Sequence, residues 1–335
     1  MLLKNPKISV VLPVYNGFLF ISRAVESILT QTFKDFELII IDDGSSDGTR
    51  DIIKSFQDER IVIIVNEKNI GLINSLNKGI GVARGEFIAR MDADDISEPE
   101  RFEKQIGYLE KNIEVGVLGT AVSHADAQGR KISILTQPTS HEGILWKMCF
   151  ECAVIHPTVM MRRDLVLEVG GYDINFPHIE DTELWMRMIR KTKFANLPDV
   201  LLMHRLHPAS IGSTQSEAQY RLSLVLREHF LKDIFGLSIP SNVNRWFSLN
   251  ETKLSSFEVH EGIGVLFGMY EFFVQNQFLK EESRGFIRQD FLMRVGQLMN
   301  GDKGRIGKNI VHVLKALFPV SVRHRLKTQA GKFFR

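Results

Sequence analysis

The chain has 335 residues, of which 44% are hydrophobic and 24% charged, and its net charge is +2. This composition excludes a disordered or fibrous protein, and the charge argues against a nucleic-acid-binding protein, which would be more basic. The length allows two domains, or one large domain with an appendage. No apolar run approaches the about 18 residues of a membrane-spanning helix.

Four strands are predicted in the first 120 residues from short apolar runs, which are typical of a sheet covered on both faces: 8–14, 36–41, 61–65 and 86–91. The first of these we interpret as a buried strand and not a signal peptide, because Pro13 interrupts it early. Amphipathic patterns at 18–32 and 47–57 predict helices between the strands. This β-α-β-α order predicts a doubly wound, mostly parallel α/β sheet, whose ligands bind beyond the carboxyl ends of the strands.

The second part of the chain is mixed and then helical. Strand-like segments between 115 and 206 accompany a strongly amphipathic helix at 180–191. Beyond about 214 the pattern is helical, and the composition changes near 235–250. We therefore expect one domain at 1–235 and a helical region at 236–335.

The two cysteines, Cys149 and Cys152, form one CxxC pair. A structural zinc site normally has four ligands, and the sequence has no second pair. Two cysteines in a chain of this length are typical of a reducing compartment. We therefore expect two free thiols.

Polar side chains follow three of the predicted strands: Tyr15 and Asn16 after the first, Asp42 and Asp43 after the second, and Asp92, Asp94 and Asp95 after the fourth. Parallel strands bring these residues to one edge of the sheet. The carboxylates have no basic partners in the surrounding sequence, so the cluster is costly unless a cation binds there.

A hard cation is the expected ligand of the third group. Asp92 and Asp94 are separated by one residue, so both face the same side of an extended chain. Carboxylate oxygens favour Mg²⁺ or Mn²⁺ over zinc, and such ions commonly complete their shell with substrate phosphates. The alternative is an Asp-rich turn that only caps the helix predicted from about 98.

The sequence lacks two other common phosphate-binding motifs. The sequence has no GxxxxGK(S/T) motif, which excludes a P-loop. The glycines at Gly79, Gly81 and Gly85 have the spacing GxGxxxG and end a helical pattern, so they do not form a dinucleotide-binding fingerprint.

The order and spacing of five motifs resemble those of the family 2 glycosyltransferases: Pro13-Val-Tyr15-Asn16, Asp42-Asp43-Gly44-Ser45, Asn69-Ile-Gly71, Ala83-Arg-Gly85 and Asp92-Ala-Asp94-Asp95. The resemblance covers about residues 7–210. It implies the GT-A nucleotide-diphospho-sugar transferase fold, with a nucleotide-binding half at 1–120 and an acceptor half at 121–235. It also implies inverting, metal-dependent transfer of a sugar from a nucleotide-diphosphate donor, most commonly a UDP-sugar, to an acceptor hydroxyl.

The resemblance assigns nucleotide-sugar binding to Pro13, Tyr15, Asn16, Asp42, Asp43 and Asp92. It assigns the metal, Mn²⁺ or Mg²⁺, to Asp94 and Asp92. His207 matches the histidine of a Tyr-Arg-x-His pattern in the family and is a further candidate for the metal or the diphosphate, with structural hydrogen bonding as the alternative. His204 stands at the aromatic position of that pattern and departs from it. His156 lies in a segment similar to one near the family's acceptor site, which implies a direct role only weakly.

An inverting transfer needs a general base, and the helix predicted at 180–191 begins with Glu180-Asp181. Asp181 shares a face with the apolar residues Leu184 and Trp185, so it is expected to face inward. Relatives in the family carry a Glu-Asp pair here, with the Asp as base, and the resemblance therefore implies Asp181 as the base. The alternative is a first-turn acid favoured by the helix dipole.

Two neighbours of Asp181 have structural interpretations. Glu183 precedes Arg187 by four residues, and we expect this pair at the surface. Trp185 is expected in the core and not under a sugar.

The tail at 301–335 carries nine basic residues and one acid, a net charge of +8, which leaves −6 for residues 1–300. Its basic amphipathic pattern with Phe333 and Phe334 near the end is typical of a membrane-surface segment, with packing on the helical region as the alternative. The resemblance agrees, since many bacterial members use lipid-linked acceptors. We therefore expect a cytoplasmic protein, peripheral on the inner face of the cell membrane, that acts on a glycan or lipid-linked acceptor and binds no nucleic acid.

Two other functions are disfavoured. A sugar nucleotidyltransferase would carry a Gly-rich, Arg-containing loop after the first strand, where this chain has Tyr15-Asn16-Gly17-Phe18. A catalytically inactive nucleotide-sugar-binding or membrane scaffold protein would lack the DxD motif or the base, and both are present.

Overall fold

The computed structural model describes residues 5–206, 217–249, 254–275 and 281–300. These residues form nine strands: Ile8–Val14 (β1), Phe36–Asp42 (β2), Ile61–Val65 (β3), Phe87–Arg90 (β4), Ile96–Ser97 (β5), Val115–Ala125 (β6), Lys131–Leu135 (β7), Met160–Arg162 (β8) and Lys193–Arg205 (β9). They also form eleven α-helices: Ile21–Leu29 (α1), Thr49–Ser55 (α2), Leu72–Val82 (α3), Arg101–Lys111 (α4), His141–Met148 (α5), Arg163–Glu168 (α6), Glu180–Met188 (α7), Glu217–Phe235 (α8), Ser241–Leu249 (α9), Ser256–Val274 (α10) and Glu281–Asn300 (α11).

The strands of the described residues form one sheet in the order β3-β2-β1-β4-β8-β6-β9-β5, and β7 pairs with β6. The first four strands are parallel, with β1 between β2 and β4. The second half is mixed, because β8 runs antiparallel to β4 and β6 while β6 and β9 are parallel. This arrangement confirms the predicted α/β fold.

The buried strands β1 and β2 follow from their sequences. Every residue of both strands is buried, because helices cover both faces of the sheet. Each fully buried Ile, Leu or Val side chain contributes about 1.5–3 kcal/mol relative to an exposed one. Gly79 allows α3 to approach closely, since a Cβ there would lie 2.7 Å from Cγ1 of Val11. That glycine therefore serves helix packing.

The register of the sheet places the strand-end motifs together. Val14 pairs with Asp42, and Val11 pairs with Arg90, so β1, β2 and β4 deliver their following loops to one edge. The short strand β5, just after the acidic motif at 92–95, pairs with the end of β9 through Ile96 and Met203. Two distant parts of the sequence thus meet at the acidic loop.

The chain divides between Phe230 and Leu231 into two compact units. The first contains the sheet. The described part of the second contains the end of α8 and the helices α9 to α11, where the ring of Tyr270 stacks on Phe291 with centroids 4.5 Å apart. Helix α9, Ser241–Leu249, lies within the segment where the composition changes.

None of the helices in the described part of the chain is long and apolar enough to cross a membrane. The basic tail at 301–335 and His207 lie outside the described residues, so the expectations for them stay predictions.

Candidate active site

The loop after β4 concentrates three carboxylates. Asp92, Asp94 and Asp95 each place a ligand atom within 4.8 Å of the others. Asp92 and Asp94 are half-buried, while Asp95 is fully buried. The atoms that could bind a metal are all carboxylate oxygens, the ligand type that Mg²⁺ and Mn²⁺ prefer. The three side chains are thus chemically suited to hold one hard cation.

Asp95 is the carboxylate least satisfied by the protein. Its Oδ1 accepts the backbone N–H of Arg205 at 2.9 Å, but its Oδ2 has no hydrogen-bond partner among the described residues. Burial, reinforced by the charges of Asp92 and Asp94, raises the pKa of Asp95 well above its ordinary value. A buried oxygen without a donor, next to two further carboxylates, fits a site for a cation.

The expectation that these carboxylates lack basic partners is wrong. Arg90, two residues before the motif, contacts Oδ2 of Asp92 through its Nη1. Arg205, at the end of β9, donates its Nε to the carbonyl oxygen of Asp94 at 3.0 Å. Both arginines are buried. The protein therefore compensates part of the negative charge itself, and the orphaned oxygen of Asp95 is a better reason to expect a cation than the charge count.

The loops after β1 and β2 are joined through Asn16. Its backbone N–H donates to Oγ of Ser45 at 2.9 Å, and its Oδ1 accepts the backbone N–H of Ser46 at 2.9 Å. Asn16 has a φ of 51°, in the left-handed region that asparagine tolerates better than most residues. Pro13 is buried within β1, whereas Tyr15 is 50% exposed and leaves its ring available to a ligand.

Asp42 is buried at the end of β2 and fully engaged by its own loop. Its Oδ1 accepts the backbone N–H of Ser45 at 2.9 Å, and its Oδ2 accepts the Nε of Arg50 at 2.8 Å. The carboxylate thus fixes the turn that follows β2.

Asp43 binds the loop after β3. Its Oδ1 accepts the side-chain N–H of Asn66 at 2.8 Å and the backbone N–H of Ile70 at 2.9 Å, and its Oδ2 accepts the backbone N–H of Gly71 at 2.9 Å. These contacts explain the motif Asn69-Ile-Gly71, which forms the backbone cradle of a buried carboxylate. In this geometry Asp43 holds the loop after β3 in place at the edge of the sheet where the strand-end loops meet.

Helix α7 begins with the acidic pair. Oδ1 of Asp181 accepts the backbone N–H of Thr182 at 2.6 Å, and Sγ of Cys152 lies 3.9 Å from its Oδ2. Burial raises the pKa of Asp181. Burial, followed by the charge of Asp181, raises the pKa of Glu180 to about 7. The pair therefore holds protons more tightly than ordinary carboxyl groups.

The remaining side chains of α7 are structural. Trp185 is fully buried, as expected. Glu183 does pair with Arg187, at 2.5 Å, but the expectation of a surface pair is wrong. Glu183 is 5% exposed, and Arg187 also donates to the carbonyl oxygen of Gly171 at 2.7 Å, because this pair ties α7 to the preceding loop.

His156 lies behind the acidic pair. It is 8% exposed, and its Nε2 lies 2.7 Å from the hydroxyl oxygen of Tyr172. Its ring packs edge-on against Trp185 with centroids 6.0 Å apart. Burial lowers the pKa of His156 well below its ordinary value, so the ring is neutral near pH 7. These contacts give His156 a position in the core beneath α7.

Three residues of the site escaped the sequence analysis: Arg90, Cys152 and Tyr172. The charge of Arg90 acts on Asp95 in one loop and on Asp181 in the other. The acidic loop after β4 and the start of α7 therefore both lie within electrostatic reach of Arg90. Arg90 stands only two residues before Asp92, and that spacing was the available signal. For Cys152 and Tyr172 the sequence carries no signal, since only the fold brings them to α7.

Known proteins are similar to this chain in sequence and in fold. The model of glycosyl transferase family 2 matches residues 9–170. The putative glycosyltransferase EpsE of Bacillus subtilis is 37% identical over 192 residues, which cover 56% of this chain and 68% of that protein. The O-antigen biosynthesis glycosyltransferase WbnJ of Escherichia coli is 34% identical over 234 residues, which cover 67% of this chain and 89% of that protein.

Among solved structures, S. aureus TarS 1–349 in complex with UDP-GlcNAc matches with a TM-score of 0.58 and 19% sequence identity, covering 86% of this chain and 81% of that one. At this identity the likeness shows the fold, which is the GT-A arrangement implied by the motifs. The two sequence relatives are similar over 68% and 89% of their own length. The chain is therefore an enzyme with the GT-A fold that belongs to glycosyl transferase family 2.

Proposed function

We propose that this enzyme is an inverting, metal-dependent glycosyltransferase of surface polysaccharide biosynthesis. It moves a sugar from a nucleotide-diphosphate donor, a UDP-sugar, to a hydroxyl of a glycan or lipid-linked acceptor. The observation that carries the proposal is the clustering of Asp92, Asp94 and Asp95 at the carboxyl edge of the sheet, with the orphaned Oδ2 of Asp95. The name of WbnJ supports the pathway, and the UDP-GlcNAc in the TarS complex supports the donor.

The donor occupies the crevice between the loops after β1 and β2 and the acidic loop. The exposed ring of Tyr15 stacks on the base, beside Pro13, and Asn16 holds its loop against that after β2. Asp42 and Asp43 keep the walls of the crevice in place through their hydrogen bonds.

Asp92, Asp94 and Asp95 hold the metal, Mn²⁺ or Mg²⁺, with His207 proposed as a further contact to the metal or the diphosphate. When bound, the ion stabilises the charge of the departing nucleoside diphosphate. Asp95 supplies the oxygen for which the described residues offer no donor.

Asp181 is the general base. It takes the proton of the acceptor hydroxyl while that oxygen forms its bond to the anomeric carbon, on the face opposite the bond that breaks to the diphosphate. Attack from the opposite face inverts the anomeric centre. The pKa of Asp181 is raised toward the neutral pH range. A general base is most effective when its pKa is close to the working pH.

A donor screen by thermal shift tests the proposal. UDP-, GDP- and dTDP-sugars are added with Mn²⁺ or with EDTA, since a ligand that binds the folded state stabilises it by mass action. We expect a UDP-sugar with Mn²⁺ to raise the melting temperature, and EDTA or the substitution Asp94→Asn to abolish the rise. Asp164→Asn, at a carboxylate with 95% side-chain exposure, is the control. Equal shifts in EDTA, or none with any donor, would contradict the proposal.

We also place the enzyme on the cytoplasmic face of the membrane through its basic tail. The net charge of +8 at 301–335 attracts anionic lipids, at about 1 kcal/mol for each basic residue near the surface. In a flotation assay with anionic vesicles, the full chain should float and a chain ending at residue 300 should stay in the soluble fraction. Equal fractions for both would contradict this placement.

A further inference from the structure

Arg90 occupies an unusual place for an arginine. It is the last residue of β4, and only 3% of it is exposed. Its carbonyl oxygen accepts the Nη2 of Arg101 at 2.9 Å, and its backbone N–H donates to the carbonyl oxygen of Val159 at 3.0 Å, so its main chain is fixed from two sides. A guanidinium buried this deeply is held by charges and not by water.

The guanidinium is turned to the acidic loop. Nη1 forms an ion pair with Oδ2 of Asp92, and among the described residues neither Nε nor Nη1 has a hydrogen-bond partner. Burial disfavours the charged form, yet the attraction of Asp92 is strong enough to hold the pKa of Arg90 above its ordinary value. Because the contact uses one carboxylate oxygen of Asp92, the other remains for a cation.

The same charge reaches the start of α7. Burial raises the pKa of Glu180 and of Asp181, and the charge of Arg90 offsets part of that rise in both groups. Asp95 is affected in the same way. The charge of Arg90 therefore acts both on carboxylates proposed for the metal and on the one proposed as base.

We propose that Arg90 is a positioning residue, which clamps one oxygen of Asp92 so that the other is presented to the metal. This inference rests on the metal site of the proposed function. Hydrogen-bonded partners of metal-ligating carboxylates orient them, and their removal typically weakens metal binding by about 10- to 100-fold.

The test measures Mn²⁺ binding without turnover. Free Mn²⁺ is titrated by electron paramagnetic resonance against the full chain with UDP present and no sugar donor. We expect Arg90→Met to weaken Mn²⁺ binding by about 10- to 100-fold and Arg90→Lys, which keeps the charge, to recover part of the loss. Arg90→Gln, which keeps side-chain donors without the charge, is measured as a second variant in case the methionine variant does not fold.

Arg162→Met is the matched control. Arg162 lies on the neighbouring strand β8, opposite Phe87 of β4, and donates to the carbonyl oxygens of Val115 and Leu109 at 3.0 Å each. It should keep the Mn²⁺ affinity of the wild type. A general loss of packing would lower the melting temperature of both methionine variants without this difference in Mn²⁺ affinity.

The outcomes separate this inference from the proposed function. If the wild type takes up Mn²⁺ and the Arg90 variants bind it equally well, the inference is overturned and the metal site stands. Tighter binding by Arg90→Met overturns it too, because Arg90 would then compete with the metal for Asp92. If the wild type takes up no Mn²⁺, the metal assignment fails and the clamp fails with it.

Discussion

The carboxylates after β2 and those around the proposed transfer site lie in the same unit of the chain but have opposite surroundings. Asp42 and Asp43 together accept five hydrogen bonds from backbone and side-chain donors. Asp95, although fully buried, has no hydrogen-bond partner for Oδ2 in the part of the chain that the structure describes, and burial raises the pKa of Glu180 and Asp181.

This difference separates two uses of the same residue type. A carboxylate whose two oxygens both accept hydrogen bonds holds loops in place, and its removal leaves the donors of those hydrogen bonds unsatisfied. A carboxylate that is buried with few donors keeps an oxygen for a cation or a proton, and it costs stability in its charged form. Substitutions in the two groups should therefore differ in their effects on activity and on stability.

The largest effect is expected for Asp181→Asn. Removing a general base costs about 10²–10⁴-fold in rate, so release of UDP from a UDP-sugar should fall by at least about 100-fold. Because asparagine is close in shape, the melting temperature and the thermal shift with donor and Mn²⁺ should be nearly unchanged. Full turnover by Asp181→Asn would remove it from the role of base, and Asp164→Asn serves as the exposed control.

Asp43→Ala should act on stability instead. It leaves the backbone N–H of Ile70 without its acceptor, while Asn66 keeps Ser75 and Gly71 keeps Asn69 as acceptors, and the loss costs about 1–3 kcal/mol. Urea unfolding measures this loss. The KM for the donor should rise more than kcat falls, because the wall of the crevice loosens while Asp181 is untouched. A lowered kcat with unchanged stability and KM would show that Asp43 belongs to the other group.

A pH-dependent stability difference is expected for Glu180→Gln. The pKa of Glu180 rises from 4.5 to about 7 on folding, so the unfolded chain ionises first and the wild type loses stability as the pH increases through this window. Glutamine does not ionise. The variant should therefore gain stability relative to the wild type between pH 4.5 and 7, by up to about 3 kcal/mol.

Urea unfolding of both proteins at several pH values measures that difference. Asp95 and Asp181 also have raised pKa values, but they are common to both proteins and largely cancel. Glu59→Gln, at an exposed carboxylate, should show no such trend. A difference that is constant from pH 4.5 to 7 would mean that Glu180 is not held protonated by its surroundings.

The sequence predicted the first half of the fold closely. The runs at 8–14 and 61–65 coincide with β1 and β3. β1 is buried on both faces, as its continuous apolar run indicates, whereas the edge strand β3 is half-buried to exposed. The exposed strand β7 at Lys131–Leu135 went unpredicted, since all five of its residues are exposed and no burial pattern marks it. Helix α9 was missed where Pro240 and polar residues suggested a boundary.

The site was predicted less completely, for a physical reason. Acidic residues at strand ends are visible as motifs, but their partners come from remote segments. Arg205 reaches Asp95 across 110 positions, and Cys152 meets Asp181 across 29. Whether both oxygens of a carboxylate accept hydrogen bonds, as in Asp43, or one oxygen has no donor among the described residues, as in Asp95, depends on these tertiary contacts.

The smallest effect is expected for Cys152→Ser, which replaces the weak thiol donor to Asp181 by a hydroxyl. Burial raises the pKa of the Cys152 thiol to about 12, so it is neutral at working pH and only a weak donor toward Oδ2 of Asp181. A serine hydroxyl is a stronger donor, and hydrogen bonds to a carboxylate favour its charged form. The acidic limb of the kcat/KM profile should shift to lower pH by roughly half a unit, equivalent to about 0.7 kcal/mol.

Cys149→Ser is the matched control, because its buried thiol donates to the carbonyl oxygen of Leu145 at 3.3 Å and not to the acidic pair. That variant should keep the wild-type profile. A shift of the Cys152→Ser profile to higher pH, or none at all, would show that the surroundings of Asp181 are not short of donors. The distinction between carboxylates that have hydrogen-bond donors for both oxygens and those that do not would then rest on Asp95 and Glu180 alone.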